Sequence, residues 1–396
     1  METPLLYELQ DDESKAKHEQ LFNTIHSFDS DSSEAEILAL NERVCREVTS
    51  KPILARIVKG NISLLLFACF MLDEQFHPAI KCLIEANPSA LLGKSTVRAG
   101  RNIIHDIAGH PTHCVLFPWI ADNYKWVLDH ERCLEFPPVF DLILQYVYRE
   151  SVPTRCTDAV IQQLFEAYPQ GLTQVDDRGI TPLHLILMGS AGCEADLFMW
   201  MAKQCSSNML KRDDVGWTPL HIACFSLAYY LEDDTHHVGD DSRSEICKYI
   251  IAKCPKSVRI LDNKERLPVH HLVRNCQHPL VKEVVVCLLR EYPESYDMDT
   301  ARGVVEAPSS TPFIQRIKPL LDEERELKEN IAYLPEVSGV FQDAVKVKDN
   351  PSLLASSTCD AFSNWATITF VQRLEARLEQ VLTDLQDECN VEEERD

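Results

Sequence analysis

Glycine and aromatic residues are scarce in this sequence. Its 396 residues include 12 glycines, and Phe, Trp and Tyr together make up 8% of the chain. Nucleotide-binding Rossmann folds need glycine-rich turns, and sheet sandwiches depend on closely spaced turns and aromatic cores. This composition therefore argues against both classes, while 45% hydrophobic residues are enough for a large core.

Positive charge and long apolar runs are also in short supply. The chain has 39 Lys and Arg against 62 Asp and Glu, a net charge of −23, which argues against nucleic acid and favours a basic or neutral protein partner. The longest apolar run, ISLLLFACFML, is too short to cross a bilayer. The acidic start resembles no secretory signal. We expect no membrane association and a cytoplasmic protein, with the nucleus as the alternative.

Cysteine is present in fifteen copies, but none forms a CxxC pair. Several, including Cys69, Cys82, Cys224 and Cys287, fall on apolar helix faces, where a free thiol packs as a small hydrophobe. Disulfide frameworks are typical of short secreted chains. The pattern therefore predicts buried, reduced thiols in preference to disulfides or a metal site.

One tetrapeptide occurs twice, in GITPLHLIL and GWTPLHIAC. Threonine is a good N-cap and proline suits the first helical position, so each copy predicts a turn followed by a helix. The residues concerned are Thr181, Pro182, Leu183 and His184, and Thr218, Pro219, Leu220 and His221.

Weaker copies of this opening, and a second signature, extend the pattern along the chain. Apolar stretches of helical period end at a proline step in LIEANP, LFEAYP, IIAKCP and LLREYP. The openings start near Asn61, Gly100, Glu135, Gly179, Gly216 and Glu265, about 40 residues apart. The sequence therefore predicts about six helical hairpins.

These motifs resemble ankyrin repeats, in which TPLH opens the first helix. The resemblance implies a structural role for His184 and His221, bonded to the cap and to neighbouring backbone. The resemblance implies an all-α fold, an α-solenoid of helical hairpins, with additional C-terminal helices. HEAT-like units of about 40–47 residues are the competing architecture. We divide the chain into a disordered acidic tail (1–33), N-terminal capping helices (34–60), the repeats (61–299), a linker (300–311) and a C-terminal helical region (312–396). In that last region an apolar stripe around Leu378 and Val381 predicts self-packing, with a short coiled coil as the alternative.

Catalytic motifs are missing from the sequence. GKST at residues 93–96 lacks the first glycine of a phosphate-binding loop. His110, His113 and Cys114 in GHPTHC supply three zinc-ligand types without a fourth. We expect no catalytic residues, no cofactor and no metal, and keep a metal-dependent or enzymatic module on the array as the alternative function.

The favoured function is a scaffold for protein–protein interaction. In ankyrin-like arrays partners bind the turn tips and the first helices, so the resemblance implies a binding role for Arg178, Ile180, Val215, Trp217, Lys264 and Arg266. Trp217 is either a cover for the neighbouring loop or an exposed anchor. The insertion 225–243 is expected to extend a helix and then form a mobile acidic loop that is dispensable for folding. The partner's identity and the oligomeric state stay open.

Overall fold

The structure is a computed structural model of the whole chain. It describes residues 5–6, 11–26, 33–59, 62–72, 74–95, 101–130, 133, 136–148, 154–189, 194–231, 240–273, 276–298, 307–332 and 358–390. Two compact units are present, one of Met1–Ser226 with His237–Ile246 and one of Leu227–His236 with Cys247–Asp396. The fold is predominantly helical, as expected. None of the described helices combines the length and the apolar composition that a bilayer span requires.

Sixteen α-helices are found in the described residues. They are α1 Asp12–His26, α2 Glu34–Ser50, α3 Leu64–Met71, α4 His77–Ala86, α5 Ile103–Ala108, α6 Phe117–Asn123, α7 Lys125–Leu128, α8 Pro138–Val147, α9 Asp158–Ala167, α10 Pro182–Ile186, α11 Ala195–Gln204, α12 Pro219–Tyr230, α13 Asp240–Lys253, α14 Pro279–Glu291, α15 Pro312–Ala332 and α16 Thr358–Asn390. Strands β1 Leu5–Leu6, β2 Ile57–Lys59 and β3 Ile62–Ser63 form a small sheet, in which β2 pairs parallel to β1 and antiparallel to β3.

The N-terminal tail differs from the expectation of disorder. Asp12–His26 form α1, in which Leu21 and Ile25 are buried. These residues are four apart and share one helical face. Phe22 stacks on Phe67 of α3, with ring centroids 3.8 Å apart. A few apolar residues in an acidic segment are therefore enough to dock this helix.

A helix begins at each of the six predicted openings. The cap residues are Ser63, Asn102, Pro137, Thr181, Thr218 and Leu267, and each precedes a helical segment. The Leu267 copy starts a short 3-10 helix, Pro268–His271. The hydroxyls of Ser63 and Thr181 accept an N–H group of the first helical turn, whereas Pro137 and Leu267 have no side chain that can do so.

The predicted helix ends also share one geometry. Asn87, Tyr168, Cys254 and Tyr292 each cap a helix with φ between −150° and −134° and are followed by a five-residue 3-10 helix that starts with proline. Cys205 has the same conformation, and Ser206 replaces the proline after it. Proline therefore favours this step but is not required for it.

The C-terminal helices pack together within the second unit. Helix α16 packs on α15 and α14, with Val381 and Leu385 buried. Lys282 of α14 is fully buried, and its Nζ donates to the Glu388 carbonyl (3.4 Å) near the end of α16. A cation is favourable at a helix C-terminus. The side chains of Trp365 and Phe370 lie outside the described part of α16.

One pair of cysteines contradicts the prediction of reduced thiols. Cys45 of α2 and Cys82 of α4 form a disulfide, with Cα atoms 5.6 Å apart. Helices α2 and α4 pack against each other, which brings together two residues that lie 37 apart in sequence. Eleven other described cysteines lie outside this bond, and nine of them are buried.

Candidate interaction surface

A tight turn precedes each of the last three openings. In the first, the Asp176 carboxylate accepts the N–H groups of Arg178 and Ile180 (3.0 and 2.8 Å). Asp213 and Asp262 accept the equivalent pairs of N–H groups in their own turns. An aspartate that bonds the backbone two residues ahead stabilises a turn.

The fourth residue of each turn has a left-handed backbone. Gly179 and Gly216 have φ of 74° and 85°, and Glu265 has φ of 58°. Glycine adopts this region without steric cost, whereas other residues do not. A Cβ on Gly179 would lie 3.1 Å from the Arg212 carbonyl oxygen. The turns of the first unit are thus closely packed against each other.

The TPLH histidine connects one helical pair to the next. His184 Nδ1 accepts the Thr181 amide (3.2 Å) and the Thr181 hydroxyl (2.7 Å). Because a carbonyl oxygen can only accept, His184 Nε2 must donate its proton to the Trp217 carbonyl, 3.1 Å away. These bonds fix a neutral tautomer. Burial lowers the pKa of His184, which also favours the neutral ring.

His105 and His270 repeat this bonding. Each Nδ1 accepts the amide of its own cap residue, Asn102 (3.1 Å) or Leu267 (2.9 Å). His105 Nε2 then donates to the Phe136 carbonyl (2.9 Å), and His270 Nε2 donates to Met298 (2.7 Å). His221 Nδ1 likewise accepts the Thr218 amide (3.2 Å), so the bond from ring to cap is present at all four of these histidines.

The residues predicted to bind a partner differ in exposure. Arg178 is exposed and pairs with Asp214 (Nε–Oδ2 3.1 Å), and Lys264 is exposed. Arg266 is bonded to its own turn aspartate, Asp262 (2.7 Å). The structure places Ile180 in the core, 5% exposed, whereas Val215 is 45% exposed.

Trp217 both covers a neighbour and contributes to the surface. Its half-buried ring lies 5.2 Å from that of Phe225, and Phe225 is 40% exposed. Ser226, the residue after Phe225, donates its hydroxyl proton to the Leu187 carbonyl (2.8 Å), and Met188, the residue after Leu187, is 36% exposed. We call Met188, Val215, Trp217 and Phe225 the Trp217 surface.

Met188 and Phe225 were not predicted as binding residues. Each lies seven residues after its cap threonine, on the first helix of its pair or just past its end. The sequence signal that could have identified them is a large apolar residue seven positions after each cap threonine. It was easily overlooked, because single exposed hydrophobic residues are common on protein surfaces.

The histidines of GHPTHC are used within the fold. His113 Nε2 donates to the Cys69 carbonyl (3.2 Å), so its Nδ1 accepts from His77 Nε2, 3.1 Å away. His110 Nδ1 accepts the Thr112 and His113 amides. Burial lowers the pKa of His113 to about 3. Across the described ranges no three His, Cys, Asp or Glu are grouped to hold a metal ion.

The structure describes both ends of the predicted insertion, residues 225–243. FSLAYYL extends the first helix, as predicted, because α12 continues to Tyr230. Helix α13 starts at Asp240, four residues before the predicted SEICKYIIAKCP. Residues 232–239, including His236 and His237, lie outside the described residues.

Known proteins provide no assignment for this arrangement. No protein-family model matches the chain, and no curated protein matches it significantly. Function is therefore inferred from the geometry and chemistry of the chain itself.

Proposed function

We propose that this chain is a non-catalytic, ankyrin-like repeat scaffold that captures another protein. The observation that carries the proposal is the recurrent histidine bonding of His105, His184 and His270, together with the TPLH openings. In the first two copies the histidine connects its own cap to the residue before the next cap. Repeat units that each contact their neighbours present extended surfaces suited to partner binding.

The Trp217 surface is the proposed contact area. Tryptophan and other aromatic residues are enriched among interface residues that contribute most to affinity. Trp217 lies in a turn fixed by Asp213, and its carbonyl accepts from both the Asp213 amide (2.9 Å) and His184 (3.1 Å). A rigidly held anchor loses little conformational entropy on binding. Because its backbone is held by these bonds, Trp217 is a better candidate for the binding anchor than Lys264, whose side chain is exposed.

The expected partner segment combines an apolar anchor with basic side chains. The chain carries a net charge of −23, and residues 232–241, between the end of α12 and the first turn of α13, include five acids and no Lys or Arg. Complementary charge increases association rates and favours basic partners over acidic ones. The metal-dependent alternative has less support, because His113 uses both ring nitrogens within the fold.

Capture by the full-length chain tests the proposal. Proximity labelling in cells should identify a partner, whose purified form is then titrated against three proteins: the wild type, the Trp217→Ala/Phe225→Ala variant and the Leu210→Ala variant. Leu210 is 37% exposed and lies outside the Trp217 surface. We expect the double variant to weaken binding at least about tenfold, since truncated hot spots cost 2 kcal/mol or more. Equal affinities for all three proteins would contradict the proposal.

A further inference from the structure

A covalent link between two N-terminal helices is not used by the proposed function. Cys45 and Cys82 have Cα atoms 5.6 Å apart, within the range of about 4.4–6.8 Å in which bridges form without backbone movement. The backbones of α2 and α4 therefore already place the two sulfur atoms for a bond.

Other contacts hold the same two helices together without the bond. Asn41 of α2 donates to the Gln75 carbonyl (2.9 Å), and its Oδ1 accepts the Ala79 amide (3.1 Å). Val44 of α2, next to Cys45 in the chain, is buried. Because these contacts are independent of the sulfur atoms, both cysteines should keep their places when reduced. The bond can therefore open and close within the folded chain.

Exposure distinguishes this pair from most other cysteines. Cys45 and Cys82 are both half-buried, whereas nine of the eleven other described cysteines are buried. Burial raises the pKa of Cys205 to about 11, which reduces its reactive thiolate fraction. A reagent in solution therefore reaches Cys45 and Cys82 more easily than the core thiols.

We propose that Cys45 and Cys82 are a reversible oxidation site that exchanges with low-molecular-weight disulfides of the glutathione class. One cysteine thiolate attacks a sulfur of the small disulfide, whose S–S bond breaks and releases one small thiol. The second thiolate attacks the protein sulfur of the mixed disulfide, and the second small thiol leaves. Two protein thiols thereby lose two electrons and two protons, which the small disulfide gains.

Oxidation is expected to stabilise the N-terminal region. The bond closes a loop between residues 37 apart, which restricts the unfolded chain. Disulfides persist in oxidising compartments and are usually transient in reducing ones. The state of this pair therefore responds to the thiol–disulfide balance around the protein.

The full chain is equilibrated with reduced or oxidised glutathione, denatured in acid and labelled with a maleimide. Of the fifteen cysteines, fifteen should react after reduction and thirteen after oxidation, because the bond removes two. Peptide mass mapping should identify the Cys45–Cys82 cross-link. The melting temperature should rise by about 2–8 °C on oxidation, and added reductant should reverse both changes.

Cys45→Ser and Cys82→Ser should each abolish the two-thiol difference and the melting shift. Cys254→Ser, at a half-buried free cysteine, should keep both. Fifteen reactive thiols under oxidising conditions would overturn the proposal. A stable glutathione adduct on one cysteine, or a cross-link at another pair, would also overturn it.

Discussion

At the scale of single residues, the chain depends on buried polar side chains whose bonds are satisfied locally. Thr181, His184, Thr218 and His221 are all buried, and each threonine hydroxyl bonds the ring of its own histidine (2.7 and 2.9 Å). A buried donor left without its partner costs about 1–3 kcal/mol. These four residues should therefore be sensitive to small changes.

Thr181→Ala and Thr218→Ala should each lower the free energy of unfolding by about 0.5–2 kcal/mol, the usual cost of losing a cap. Urea unfolding followed by circular dichroism measures the change. Thr173→Ala is the matched control, because the Thr173 hydroxyl is exposed and bonds only the nearby Gln170 carbonyl. An unchanged melting temperature in the double variant would refute TPLH as a helix opening.

Glu265→Gly should stabilise the protein by about 0.5–1 kcal/mol. Glu265 has φ of 58°, where glycine avoids the steric cost of a side chain. Gly179→Ala should do the opposite, because its new Cβ would lie 3.1 Å from a carbonyl oxygen. Urea midpoints of the two variants should move in opposite directions from that of the wild type. Movement in the same direction would mean that these turns are not equivalent.

Buried histidines should make the fold sensitive to acid. Burial lowers the pKa of His77, His184 and His270, and that of His113 to about 3. Unfolded histidine has a pKa of about 6.5, so below that pH the unfolded state binds more protons than the folded state. The free energy of unfolding should fall as the pH is lowered from about 6.5 towards 3, and these groups should contribute no pH dependence above 7.

Urea midpoints at pH 7.5, 6.0 and 5.0 check this dependence, since most carboxylates stay ionised at these pH values. His113→Gln is less stable overall, but its midpoint should fall less steeply with pH because one depressed pKa is removed. An identical slope in the variant would show that His113 does not contribute.

At the scale of elements, local chemistry was readable from the sequence and packing was not. The Thr181–Pro182 start depends on neighbouring residues only, so the sequence predicts it correctly. Helix α1 is stabilised by contacts such as Phe22 on Phe67, and the Cys45–Cys82 pair forms across two packed helices. Neither the docking of α1 nor the pairing of these cysteines can be read from residues that are neighbours in the sequence. Two residues of the Trp217 surface, Val215 and Trp217, were predicted from the sequence, because their turn was recognised. Met188 and Phe225 were not predicted.

Residues 232–239 should be dispensable for folding. Helix α12 ends at Tyr230 and α13 starts at Asp240, so a Gly–Ser segment of equal length can connect them at little cost in loop closure. We expect an unchanged helical circular-dichroism signal and an unchanged melting temperature, together with weaker partner capture because Glu232, Asp233 and Asp234 are removed. Loss of the folded signal would instead place this segment in the core.

At the scale of the whole molecule, the net negative charge and the recurrent histidine bonding both favour the proposed role in protein binding. A net charge of −23 favours association with basic proteins over acidic ones, an effect that salt screens. Binding of the captured partner should therefore weaken between low and physiological salt. The apolar Trp217 surface then contributes the short-range part of the affinity.

The most direct test of the scaffold account is hydrogen–deuterium exchange of the full chain, alone and with its purified partner. The account predicts slower exchange on binding in the turn 213–217 and in α12, with α15 unchanged. Protection confined to α15 and α16, or no protection anywhere, would contradict it.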